Sequence, residues 1–111
     1  MQTVFIFHGI YGSPEENWFP WLKKELESLE CVVHIPHFPT KAQLEPEDWW
    51  DAFKPYESDV REDSIIVGHS LGVAFALKVI EKHAVKAGFF VAPAFGKTEN
   101  TFTPDRKSTR L

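Results

Sequence analysis

The sequence predicts an α/β fold: three αβα layers around a mostly parallel sheet. Three observations carry this expectation. Short apolar runs, Val4–Phe7, Cys31–Ile35, Ser64–Val67 and Ala87–Val91, alternate along the chain with segments of helical pattern. The first of them is apolar without alternation, as a strand covered on both faces of a parallel sheet is. A serine flanked by glycines stands at the junction of the third run and the helical segment after it.

The elements follow in order. Val4–Phe7 ends at His8-Gly9 and forms the first strand. Ser13-Pro14-Glu15-Glu16 has the hydroxyl, proline and glutamate of a capping box, so a helical turn starts there. Because Pro20 is tolerated only in a first turn, the main helix can also begin later, with Asn17 as cap and Leu22, Leu26 and Leu29 as its apolar stripe. Cys31–Ile35 is the second strand, and Pro36-His37-Phe38-Pro39 leaves its C-terminal end. A second helix is expected over Glu45–Phe53, acidic where its dipole is positive and stopped or kinked by Pro55. Ser64–Val67 is the third strand, Leu71 to about His83 the third helix, and Ala87–Val91 the fourth strand, an apolar sheet edge.

At 111 residues the chain holds one domain, able to bury about two-thirds of its unfolded surface. We assign residues 1–97 to that domain and expect a disordered tail over 98–111, where periodicity is lost. Residues 105–111 are similar to the in-frame translation of a sequencing-adapter oligonucleotide. Hydrophobic residues at 43% exclude a disordered chain, and a net charge of −4 without a basic stripe argues against nucleic acid or an anionic membrane as partner. The expected partner is a small molecule. Cys31 is the sole cysteine, which excludes an intrachain disulfide, reads as a buried thiol and suggests a cytoplasmic protein. The apolar N-terminus has no basic lead-in and is too short for a signal peptide or membrane span.

Gly68-His69-Ser70-Leu71-Gly72 matches G-x-S-x-G between a strand and a helix, the context that gives the pattern its chemistry. The turn is so sharp that the serine is strained, and strand and helix pass so closely that Gly68 and Gly72 must lack bulk. Ser70 is then raised at a helix N-terminus as a nucleophile, and the Leu71 N–H faces a developing oxyanion. Gly9 follows the first strand, where a second oxyanion donor belongs; Ile10 N–H is the expected donor and Tyr11 the near alternative.

The partners of such a serine follow it in the order acid, then histidine. His83 is the only later histidine; thirteen residues of helix place it about 20 Å away, so it reads as a surface side chain. His69 reads as a packed or hydrogen-bonded turn residue. His34 and His37 lack a carboxylate or cysteine at ligand spacing, so no metal is expected, and no organic cofactor. Trp18, Trp21, Trp49 and Trp50 are assigned to core and cap packing. Asp105, the only later aspartate, lies in the tail, so catalytic acid and base are both absent and the chain is expected to end before them.

His8-Gly9, the segment Asn17-Trp18-Phe19-Pro20-Trp21-Leu22-Lys23-Lys24, Trp49-Trp50 and the elbow together resemble the small serine-hydrolase family typified by retinoblastoma-binding protein 9, over roughly residues 3–96. The resemblance implies a compact α/β hydrolase with little lid, a serine–aspartate–histidine triad and esterase-like activity, with Ser70 in the nucleophile position. It also gives standing to a second possibility, a hydrolase fold used as a non-catalytic module for binding a protein.

Overall fold

The computed structural model describes residues 2–9, 18–39 and 46–91. They form β1 (Thr3–Phe7), α1 (Phe19–Ser28), β2 (Val32–His34), α2 (Pro46–Glu57), β3 (Ile65–His69), α3 (Gly72–Lys82) and β4 (Ala87–Val91). All strand pairs are parallel, in the order β2-β1-β3-β4. The expected α/β layering is therefore present.

The strands sit where they do because β1 is apolar on both faces. Phe5 and Phe7 point to one side, into a core with Phe38, Trp49, Phe53, Ile66 and Phe75 beneath α2 and α3. Val4 and Ile6 point to the other, against Phe19, Val33 and Val67 beneath α1. Phe7 is edge-on to Phe38, Phe53 and Phe75, with ring centroids 5.2–5.5 Å apart, so an aromatic cluster fixes the C-terminal end of β1.

Several expectations are corrected by the packing. The capping-box segment lies outside the described residues; α1 itself is capped by Trp18, with no side-chain hydrogen bond and with Pro20 in its first turn, where no N–H is required. Leu29 lies past the end of α1 and is 73% exposed, so the stripe is Leu22 and Leu26, both packed on the α1 core. Helix α2 runs through Pro55 and stops two residues later, because a proline near a C-terminus breaks only the bond to the residue four before it. Trp21 is 63% exposed, unlike buried Trp49, and Cys31 is only half buried. The tail and residues 105–111 lie outside the described residues.

Among the described residues β4 is an edge strand, with Phe89 and Val91 partly exposed. Beside them an apolar groove of about 350 Å³ separates α1 from β3 and β4. No helix among the described residues is long and apolar enough to cross a membrane.

Candidate active site

Strands β1 and β3 are neighbours, but the helices that follow them lie on opposite faces of the sheet, α1 on one and α3 on the other. Chains that part in this way at the C-terminal ends of parallel strands leave a crevice, the usual ligand position in such sheets. Gly9 and Ser70 are the residues at its floor.

Ser70 has φ 57°, one of two non-glycine residues with positive φ among the described residues. A side chain in this left-handed region costs about 1 to 2 kcal/mol, so the surroundings must impose it. They do so from both sides. The Ser70 N–H donates to the Val91 carbonyl at 3.0 Å, tying the turn to the end of β4, and the Ser70 carbonyl accepts from the Val73 N–H at 3.0 Å, starting α3. A Cβ on Gly68 would stand 2.9 Å from the Val73 Cα, and one on Gly72 would run into the main-chain carbonyl of Phe7. Both glycines are thus required by close approach.

Gly9 closes the site. A Cβ there would lie 2.8 Å from the Ser70 Cβ and 3.1 Å from its Oγ, so the chain leaving β1 passes directly beside the hydroxyl. Leu71 immediately precedes α3, whose first N–H groups have no acceptor within the helix. Ile10 and Tyr11, the expected second donor and its alternative, lie outside the described residues.

The five histidines are all described, and none is hydrogen-bonded to Ser70. His83 caps α3 and meets Glu57 at 2.7 Å; Glu57 also binds Lys82 at 3.1 Å, so His83 is a half-buried clasp between α2 and α3 and not the surface residue expected. The His83 contact first, and then Lys82, hold the Glu57 carboxyl below its usual value, with burial opposing them. His34 meets Asp59 at 3.0 Å, a carboxylate 25 residues away that spacing along the chain did not reveal. Among the described residues no three His, Cys, Asp or Glu side chains converge.

His8, beside Gly9, has a buried, hydrogen-bonded place that sequence reasoning missed. It is fully buried, against Phe38, Trp49 and His37. The Phe38 N–H can only donate, so Nε2, 2.9 Å away, accepts; Nδ1 therefore carries the proton and donates to the Gly9 carbonyl at 2.7 Å. The available signal was a polar residue closing an otherwise apolar strand.

His69 packs edge-on to Trp18 and Phe19, and its buried Nδ1 has no hydrogen-bond partner among the described residues. Burial lowers its pKa from the usual 6.5, because the charged ring would lose water without gaining a bond. Below about pH 6.5 the unfolded chain takes up a proton that the folded one resists, so stability must fall as the pH drops through that window. His69→Phe is expected to weaken this dependence between pH 7 and 5 in thermal melts. A pH dependence equal to that of the natural chain would contradict it.

A strained serine on a strand-turn-helix, with glycines two residues to each side and the neighbouring strand's loop against its hydroxyl, has the geometry that a nucleophile elbow requires. The chain belongs to the serine hydrolase family, whose family model matches residues 4–109. It is 33% identical over 100 residues to YdeN of Bacillus subtilis (strain 168), which bears a hydrolase name, covering 87% of this chain and 53% of that protein. It is 32% identical over 79 residues to the serine hydrolase RBBP9 of Rattus norvegicus, covering 68% of this chain and 41% of the relative. The crystal structure of the ydeN gene product from B. subtilis superposes with a TM-score of 0.67 at 32% identity, over 84% of this chain and 50% of that one. The chain thus spans about half the length of the curated relatives it matches.

Proposed function

We propose that the full-length protein hydrolyses carboxyl esters or related acyl bonds of a small molecule, with Ser70 as nucleophile. The observation that carries this reading is the positive φ of Ser70 with Gly9 packed against its hydroxyl: strain of this kind is retained where a side chain must be presented. A histidine and an acidic residue are contributed by the part of the protein that the relatives possess beyond this chain. That histidine accepts the Ser70 proton as Oγ attacks the acyl carbonyl, then returns it to the departing alcohol; water repeats the sequence and releases the acid. The Leu71 N–H, and Ile10 N–H from the loop after Gly9, hold the oxyanion. Neither a metal nor an organic cofactor takes part. The lone cysteine, Cys31, fits a cytoplasmic setting.

A fluorophosphonate probe should label the full-length protein at Ser70, with the 111-residue chain reacting near background because it lacks the base. Absence of labelling in the full-length protein would favour a non-catalytic binding module.

A further inference from the structure

We infer that the cleft along the outer edge of β2 binds a small organic anion, one that joins a carboxylate to an apolar body, at a site separate from Ser70. The cleft takes no part in the reaction proposed above, so the inference stands independently of it.

Among the described residues β2 pairs with β1 alone, in the register Val4↔Val33. The Val32 N–H donates to the Gln2 carbonyl at 2.9 Å. Along a strand the main-chain groups of successive residues point to opposite sides, so Val32 and His34 turn theirs toward β1 and Val33 turns its N–H and C=O outward. Two helices overhang that edge. Pro20 and Lys23 of α1 and Tyr56 of α2 enclose with Val33, His34 and Ile35 an open cleft of about 430 Å³. Small-molecule sites run from about 300 to 1,000 Å³.

The lining selects the ligand. Among the described residues the wall holds an ammonium, two imidazoles and a phenol, from Lys23, His34, His37 and Tyr56, and no carboxylate, in a chain of net charge −4. The polar atoms of these groups are largely unspent. His34 is held between Phe5 and Tyr56, with ring centroids 5.4 and 5.0 Å away. Its Nε2 lies 3.0 Å from the Asp59 carboxylate, which can only accept, so Nε2 carries a proton. Nδ1 has no hydrogen-bond partner among the described residues, and neither do the His37 ring and the Tyr56 hydroxyl. Lys23 meets only Glu27, at 4.0 Å and with both side chains about half exposed, a pair too loose to hold the ammonium against a better partner.

Donors of this kind bind a carboxylate through charge-assisted hydrogen bonds. Pro20, Val33 and Ile35 form the rest of the wall and bury hydrocarbon. An inorganic anion would use the first set of groups and leave the second wet, so the fit is to an anion with an apolar body.

The test is an NMR titration of the full-length protein carrying Ser70→Ala, with 3-phenylpropionate as the probe. Saturable shifts are expected at Val33, His34, His37 and Tyr56. Two arms separate the parts of the ligand: 3-phenylpropanamide keeps the body without the charge, inorganic phosphate keeps charge without the body, and each should bind at least about 10-fold more weakly. Lys23→Ala should weaken 3-phenylpropionate about 5- to 10-fold, whereas Lys24→Ala, which removes the exposed charge next to it on α1, should leave binding unchanged. No saturable shift, an amide or phosphate that binds as tightly, or equal losses in the two lysine variants would overturn the inference. So would shifts centred on Gly68 and Gly72, which would put the ligand in the crevice at Ser70. A full-length protein that fails to label at Ser70 removes the hydrolase reading and leaves these outcomes untouched.

Discussion

Ser70→Ala in the full-length protein is expected to reduce kcat on an activated ester such as p-nitrophenyl acetate by about 10⁶-fold, leaving only the roughly 10³- to 10⁴-fold advantage over water that oxyanion donors and binding can give. The expected size follows from the division of roles. Without its hydroxyl the site still holds an acyl group, but no bond to the enzyme can form. The same position offers a second readout, in stability. Ser70 has φ 57°, and alanine keeps that strain while glycine relieves about 1 kcal/mol of it, offset in part by the larger entropy of glycine in the unfolded chain. Ser70→Gly should therefore be as inactive as Ser70→Ala but melt at or above the temperature of the alanine variant. A Ser70→Ala enzyme with more than about a hundredth of the natural kcat would contradict the assignment.

Gly72→Ala should produce the largest loss of stability from a single methyl group. A Cβ at this position meets the carbonyl of Phe7 and lies 2.8 Å from that of His8, and both are main-chain atoms of β1 and its exit. Side chains can rotate away from an intruder, but a strand in the middle of a sheet cannot. Helix α3 would have to lift from β1, loosening the contacts of Phe75, Ala76 and Val79 with the core. Overpacking of this kind costs about 1 to 3 kcal/mol or more, against a total stability of about 5 to 15 kcal/mol for a domain. Urea denaturation should place Gly72→Ala about 1 to 3 kcal/mol or more below the natural protein, and Gly72→Val should fail to fold. Labelling of any folded Gly72→Ala protein by a fluorophosphonate should be slower than its folded fraction explains, because the same helix start positions Ser70. Natural stability in Gly72→Ala would show that the strand and helix are less closely packed than described.

How much of this was legible in the sequence depended on the range of the forces involved. The apolar runs Val4–Phe7 and Ala87–Val91 became strands, and Leu71 to His83 became α3 within a residue at each end, because those segments answer to local pattern and to the steric rules of neighbouring residues. The elbow was legible for the same reason: Gly68, Ser70 and Gly72 meet their requirements within five positions. Even there, the atoms that demand Gly72 belong to Phe7 and His8, more than sixty residues away.

Only tertiary structure decided the rest. Trp21 points to solvent while Trp49 stacks on Phe38, although both read as packing residues. His83 and Glu57 meet because α2 and α3 lie side by side on one face of the sheet, and His34 finds Asp59 across the end of α2. His8 looked like part of a loop until the chain after β2 brought the Phe38 N–H to its ring. By itself, then, the sequence determined the parallel α/β plan, the strained serine and the glycines around it, all of them local. Which imidazole bonds to which group was decided by the sheet order β2-β1-β3-β4, because hydrogen bonds act over about 3 Å and only the packed sheet brings residues so distant in sequence within that reach.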